Sequence, residues 1–361
     1  MTKIYQAIMC GGEGKRLWPL SRRSLPKYYI KLADGESLFQ KAFCRALLTS
    51  DESDILLVTT EVNKHNALKQ AREIVPGFPS ENLIIRPEGK ETFATLACAL
   101  GIMIDRGASP DDILICAPAD HVILDTEAYE NTLRFAAASA TESLVVLGIT
   151  PTSPSSDFGY IEYGSKQTLG KAPFVVKRFT EKPNRELAEE FLAQGNYLWN
   201  GGFYIGSLGV YMREITTITP PTAEIISGGS EKIATEFAAL PDSSIDYVIS
   251  EKTEHMLVVP VTFDWDDYGD LESFIPARGK IQELAVFDGE NITASADGKL
   301  VVSVGVSHIT IIDTRDAILV VHKDKANSLS KVVNELKARA FDAVDHHYTG
   351  YRPWGTYEVI E

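Results

Sequence analysis

The chain has 361 residues, 44% of them hydrophobic and 24% charged, and carries a net charge of −15. That length allows one large core or two domains, because single cores stop growing near ~250–300 residues. The acidic balance excludes a nucleic-acid surface and requires any anionic ligand to meet a locally positive pocket, with a metal ion's help.

No apolar run reaches the ~18–20 residues needed to span a bilayer. The N-terminus lacks the long apolar core and cleavage site of a signal peptide, so neither a membrane nor nucleic acid is expected as a partner and the chain reads as cytoplasmic. Cys10, Cys44, Cys98 and Cys116 are far apart with no C-x-x-C pair, which suggests neither zinc nor a disulfide framework.

Taken in chain order, Ile4 to Met9 reads as a buried strand, followed by a Gly-rich loop from Cys10 to Lys27. Further strands are expected at Ile55 to Thr59, Leu83 to Ile85, Ile113 to Ala117 and Leu144 to Ile149. Between them, Phe39 to Leu48, Asn66 to Ile74, Thr92 to Ile104 and Ala128 to Ala140 carry helix-period apolar residues. Such alternation predicts a mostly parallel sheet with helices on both sides. From about Ser155 the pattern shifts to mixed strands (Tyr160 to Tyr163, Val175 to Thr180) and shorter helices. After about Arg278 closely spaced Gly, Asn and Asp turns separate small β units, and one helix follows from Ser328 to Ala340. The expected organisation is a domain over 1–278 and a β-rich extension over 279–361.

The loop C-G-G-E-G-K-R-L-W-P-L-S-R-R-S-L-P-K leaves the carboxyl end of the first strand, the edge at which open α/β sheets bind ligands. Gly11, Gly12 and Gly14 allow backbone N–H groups to approach a ligand closely. Arg16 and Lys27 supply one forked and one point-like cation, both suited to phosphate oxygens. It is not a P-loop, since Gly14-Lys15 is followed by Arg16, nor a dinucleotide fingerprint, since Leu17 stands where the third Gly should be. The combination reads as a triphosphate-binding loop. Asp120, just beyond the strand at Ile113, is placed either to cap a turn or to hold a hard divalent cation beside a triphosphate.

The pattern G-G-x-G-x-R-L-x-P-L-[ST]-x-x-x-P-K resembles the signature loop of the sugar-1-phosphate nucleotidyltransferases, and Trp18 with Ser21-Arg22 resembles their mannose-1-phosphate guanylyltransferase branch. More matches follow in family order. The resemblance implies a glycosyltransferase-A-like, Rossmann-like core, a short β-helix-like extension and a homodimer. It makes Asp120 of P-A-D-H a Mg²⁺ ligand, with His121 structural. Among the four carboxylates from Asp264 to Asp270 it selects Asp267 as the second ligand. In F-T-E-K-P, Glu181 would accept from sugar hydroxyls and Lys182 would meet the sugar phosphate. Asn200 in W-N-G-G-F and Gly159 in F-G-Y-I would contact the sugar, and Thr92 is retained near the base-binding region. The match S-I-D-Y-x-x-x-E-K-T, from Ser244 to Thr253, reads as a family marker more than a catalytic element.

Three segments depart from the family, the first being the acidic cluster, where Tyr268 and Asp270 depart from the usual D-V-G-S-W. Gly201 replaces a Ser, and R-P-E-G-K-E-T-F-A-T from Arg86 to Thr95 replaces E-P-x-x-R-N-T-A-P-A, which bears on guanine specificity. The tail from Tyr351 resembles the start of an isomerase domain, but about ten residues cannot build one. The reaction implied is transfer of GMP from GTP to mannose 1-phosphate, with Mg²⁺, by Arg16, Lys27 and Lys182. The alternatives are another sugar or nucleotide, a non-catalytic regulatory homologue, and a Rossmann-type oxidoreductase. The missing third Gly argues against the last of these.

Overall fold

A computed structural model describes residues 2–12, 14–87, 89–164, 173–278, 285–287, 292–295, 301–347, 349–352 and 355–358. Its strands up to residue 266 are β1 (Ile4–Met9), β2 (Ile55–Thr59), β3 (Leu83–Ile85), β4 (Ile113–Pro118), β5 (Val122–Ile123), β6 (Leu144–Ile149), β7 (Tyr160–Tyr163), β8 (Phe174–Thr180), β9 (Tyr197–Ser207), β10 (Met256–Pro260) and β11 (Trp265–Asp266). Nine of them form one sheet in the order β3-β2-β1-β4-β9-β6-β10-β8-β7, while β5 and β11 pair as a separate ribbon. β1 runs parallel to β2 and β4, β2 to β3, and β6 to β10. β9 is antiparallel to both β4 and β6, so those two point the same way. β8 is antiparallel to β7 and β10. The sheet is mixed with most strands codirectional, as the strand–helix alternation predicts.

β9 is the main element that the sequence reading did not delimit. Asn200, Gly201 and Gly202 interrupt its apolar run, yet it lies between two neighbours, and a register shift between Val146 and Gly148 absorbs the irregular stretch.

The helices are α1 (Leu38–Ala46), α2 (Lys64–Ile74), α3 (Thr92–Asp105), α4 (Thr126–Ser139), α5 (Arg185–Gln194), α6 (Leu208–Ile218), α7 (Pro220–Ser227), α8 (Gly229–Thr235), α9 (Leu271–Arg278) and α10 (Leu329–Ala338). α1 begins at a reciprocal capping box between Ser37 and Gln40. Alternation along β1 sends Tyr5, Ala7 and Met9 to one face, against Leu96 and Leu100 of α3 and Val210 and Tyr211 of α6. Ile8 points the other way, into Phe39 and Phe43 of α1 and Ala67 and Ala71 of α2. Each fully buried Leu or Phe contributes roughly 1.5–3 kcal/mol of hydrophobic stabilisation, which is why both faces must be covered. Cys10 and Cys116 are buried among these apolar side chains, as small hydrophobes.

In the extension, β12 (Ala285–Phe287) pairs in parallel with β14 (Val302–Val304), and β13 (Ile292–Ser295) with β15 (Ile309–Asp313). Stacking successive coils as parallel strands is the β-helix arrangement that the resemblance implied. β15 then turns back on β16 (Ile318–His322), and after α10 a hairpin forms from β17 (Thr349–Arg352) and β18 (Gly355–Glu358). Residues 288–291 and 296–300, where the sequence leads one to expect turns, and Pro353 and Trp354 of the tail motif lie outside the described residues. Ile312, Leu319, Leu329, Val333 and Val344 share one core cluster with Leu17, Trp18, Leu20 and Phe39, so the extension packs on the Gly-rich loop and α1.

Candidate active site

The carboxyl ends of the parallel strands β1 and β4 open onto a cavity of about 770 Å³. Gly11, Gly12 and Lys15 of the loop line it together with Arg86, Thr92, Asp120, Gly159, Glu181, Lys182, Asn200 and Asp246. Residues spread over most of the sheet thus converge on one space.

The loop is shaped by its own backbone. Gly14 has φ +65°, and its carbonyl accepts from Ser21 Oγ at 2.6 Å and from Leu17 N at 2.9 Å. The turn Lys27–Tyr29 buries Tyr28 and Tyr29, which fixes the root of Lys27. From there Lys27 Nζ reaches Asp120 Oδ2 at 2.9 Å and donates to the main-chain oxygen of Asp267 at 2.6 Å. The β5–β11 ribbon explains the meeting: Val122 pairs with Asp266, so Asp120 and Asp267 flank the same two-stranded bridge.

Of the acidic cluster, Asp264, Asp266 and Asp270 are exposed while Asp267 is half-buried. Asp266 accepts from Tyr268 N and Asp270 from Ser273 N, a local turn and the start of α9 respectively. Asp267 is the member of the cluster whose main-chain oxygen accepts from Lys27. Burial and the nearby Asp120 charge raise its carboxyl above the ordinary range, against the opposing pull of Lys27. Burial also penalises the Asp120 carboxylate, but Lys27 and His121 outweigh it and hold its pKa low. His121 is buried and pushed down to about 4 by desolvation; its Nδ1 accepts from Trp265 Nε1 at 3.1 Å. It is a neutral, packed ring, in keeping with a structural role.

Arg16 pairs with Asp157 at 2.7 Å on the rim, both side chains more than a third exposed. Lys15, rather than Arg16, lines the cavity itself.

At the other end, Glu181 closes β8 with its side chain 5% exposed and holds Lys182 Nζ at 2.5 Å. Lys182 adopts φ +44°, a strained conformation for a residue with a side chain. A Cβ at Gly159 would lie 2.5 Å from Glu181 Oε2, so Gly159 is required by the close approach of that carboxylate. Asn200 Nδ2 donates to Asp246 Oδ1 at 2.9 Å, and Tyr204 donates its hydroxyl proton to the same oxygen. Burial raises the carboxyls of both Asp246 and Glu181, and the charge of Asp246 raises Glu181 further.

Asp246 of the S-I-D-Y segment, read from the sequence as a family marker more than a catalytic element, lies in the cavity wall and accepts from Asn200. No local pattern could reveal this, because the partners are 46 residues apart. Thr92 lines the cavity and accepts from Ile245 N at 3.1 Å, tying the start of α3 to the residue before Asp246. Arg86 and Lys90, basic residues not singled out in the sequence, line the same space. Phe93 is fully buried in the core, and Glu91 precedes α3 as its cap position.

Among the described residues no three His, Cys, Asp or Glu side chains converge on a metal position, and no helix is long and apolar enough to cross a membrane.

A family model described as "Nucleotidyl transferase" matches residues 5–283, and one described as "MannoseP isomerase/GMP-like beta-helix domain" matches residues 283–336. A Klebsiella pneumoniae protein named mannose-1-phosphate guanylyltransferase is 32% identical, over 99% of this chain and 79% of that protein. The alginate biosynthesis protein AlgA of Pseudomonas aeruginosa is 31% identical, over 98% of this chain and 76% of that protein. A crystal structure from Thermus thermophilus, described as a mannose-1-phosphate geranyltransferase, superposes with a TM-score of 0.76 at 30% identity, covering 93% of this chain and all of that one. The match over most of its length, together with the fold and the cavity, shows that the chain belongs to the nucleotidyl transferase family and is a sugar-1-phosphate nucleotidyltransferase.

Proposed function

We propose that the protein transfers GMP from GTP to mannose 1-phosphate, giving GDP-mannose and pyrophosphate. The observation that carries this reading is a single continuous cavity. It joins the Gly-rich loop and Asp120, beside Lys27, to a polar end built from Gly159, Glu181, Lys182 and Asn200. The names borne by the Klebsiella and Thermus relatives support mannose 1-phosphate as one substrate, and the Klebsiella name supports the guanylyl group.

Three cations at the site pair with carboxylates: Arg16 with Asp157, Lys27 with Asp120 and Lys182 with Glu181. Incoming phosphates would exchange with these partners. Arg16 then meets the outer phosphates, Lys27 the α-phosphate and leaving group, and Lys182 the attacking sugar phosphate. Glu181 accepts from sugar hydroxyls once released from Lys182, and Asn200, fixed by Asp246, offers its amide. The attacking phosphate is already ionised and needs no general base, so these residues act by alignment and charge neutralisation.

Asp120 and Asp267 fit a hard divalent cation: they are two oxygen donors held beside each other with an ammonium as the present counter-charge. An open two-carboxylate set suits Mg²⁺, which completes its octahedron with water and substrate phosphates. When bound, Mg²⁺ would neutralise charge on the two reacting phosphates.

The test is pyrophosphate release by the purified protein over a matrix of nucleoside triphosphates and sugar 1-phosphates. GTP with mannose 1-phosphate is expected to give the highest kcat/KM. A clear preference for another pair would replace this assignment.

A further inference from the structure

Asp316 sits in the turn between β15 and β16 of the extension, 294 residues from Arg22 of the Gly-rich loop. The Arg22 side chain is 0% exposed and donates to both Asp316 carboxylate oxygens, at 3.2 and 3.3 Å. Its other terminal nitrogen donates to the carbonyls of Pro19 and Ser21, and the guanidinium lies 5.3 Å from the Trp18 ring centroid. Thr314 Oγ1 donates to Asp316 in turn, at 3.0 Å. Three more bonds cross between the same two units. Trp18 Nε1 donates to Ala343 O at 2.9 Å, Ser24 N donates to Asp345 O at 3.0 Å, and His347 Nε2 meets Leu20 O at 3.1 Å.

All of these contacts fall between Arg16 and Lys27. A loop opened by three glycines has much conformational freedom to lose, and misplacing a catalytic group by about 1 Å costs roughly 10²-fold in rate. The sheet fixes the start of the loop; its middle is held from two sides, by the extension and by Asn63 and Asn66 at the start of α2, which donate to Arg23 O at 3.2 Å and Ser24 O at 3.0 Å.

We infer that the Arg22–Asp316 pair makes the C-terminal β unit a positioning element of the phosphate-binding loop, setting the reach of Lys27 without touching substrate. This rests on the reading of that loop as the phosphate-binding loop. Breaking the pair from one side leaves a buried guanidinium uncompensated, and the loop loses its tether.

The experiment uses full-length Asp316→Asn and Asp316→Glu, with Trp18→Phe as a milder variant that removes the bond to Ala343 and keeps an aromatic ring beside Arg22. Asp316→Asn is expected to lower kcat at least tenfold, with KM for the sugar phosphate within twofold of wild type. Asp316→Glu should recover a large part of the loss, and Trp18→Phe should lower kcat about threefold. Hydrogen exchange of amides 17–27 should accelerate in Asp316→Asn while β1 and β4 remain protected. A folded Asp316→Asn with kcat within twofold of wild type would overturn the inference. So would a loss of activity accompanied by a uniform rise in exchange across the sheet. If Asp316→Asn does not fold, Trp18→Phe decides by the same two readouts. The exchange measurement needs no substrate: an inactive wild type would refute the proposed reaction, while the loop amides would still report on the tether.

Discussion

Lys27 Nζ lies 2.9 Å from Asp120 Oδ2, an ion pair that joins the end of the Gly-rich loop to the end of β4. Both side chains are largely shielded from water, at 11% and 27% exposure, so the pair is well ordered before any phosphate arrives. With Asp157–Arg16 and Glu181–Lys182 it makes three pairs at the site in which a cation meets a carboxylate.

Lys27→Ala is expected to lower kcat by roughly 10²–10³, the usual cost of removing one stabiliser of transition-state charge. Circular dichroism should show an unchanged fold, because Tyr28 and Tyr29 rather than the lysine anchor the turn. Steady-state kinetics of the purified variant check this, and a near-wild-type kcat would remove Lys27 from the mechanism.

Asp267→Asn should shift the Mg²⁺ dependence of the reaction to much higher concentration. Asp264→Asn and Asp266→Asn should leave it within twofold of wild type, since those side chains are exposed. Titrating activity with Mg²⁺ across the three variants decides the matter. A response from Asp264→Asn or Asp266→Asn alone would mean that another carboxylate of the cluster holds the ion.

Asp246→Asn replaces an acceptor with a group that can present a donor to Asn200 Nδ2 and to the Tyr204 hydroxyl. We expect at least a tenfold fall in kcat/KM for the sugar phosphate with KM for the nucleotide within twofold. Varying each substrate separately separates the two. A larger effect on the nucleotide would place Asp246 on the other side of the reaction.

His347, partly buried against Leu20, titrates near 4, pushed down from 6.5 by burial and by the Arg22 charge. A depressed histidine binds its proton less readily when folded than when unfolded, so its neutral form favours the folded state above pH 6.5. That contribution is lost progressively as pH falls from about 6.5 to about 4. Thermal melts of wild type and His347→Gln over this window should converge as the pH drops. A constant difference in Tm would show that the ring does not titrate there.

GTP is expected to exceed ATP by at least tenfold in kcat/KM, which needs only ~1.4 kcal/mol of differential transition-state binding. The altered segment around Arg86 lines the cavity and does not close it. Parallel assays with mannose 1-phosphate at fixed Mg²⁺ are the check, and equal rates would mean that the altered segment governs the choice of base.

By itself the sequence determined the elements whose signal is local. The apolar runs of β1, β2 and β6 are delimited as observed, because a strand buried on both faces leaves a continuous apolar run, and the short edge strand β3 matches too. The Gly-rich loop was legible for a similar reason: its chemistry lies within eighteen consecutive residues. What the tertiary structure decided was everything that depends on long-range pairing. Asp267 is distinguished from its acidic neighbours by the β5–β11 ribbon, which brings it to a lysine 240 residues away. Asp246 became part of the site because β9 runs between β4 and β6 and carries Asn200 and Tyr204 to it. The tether from Asp316 to Arg22 exists only because the extension folds back onto the loop and shares its core. Periodicity reports which face of an element is buried; it carries no information about which distant segment will bury it.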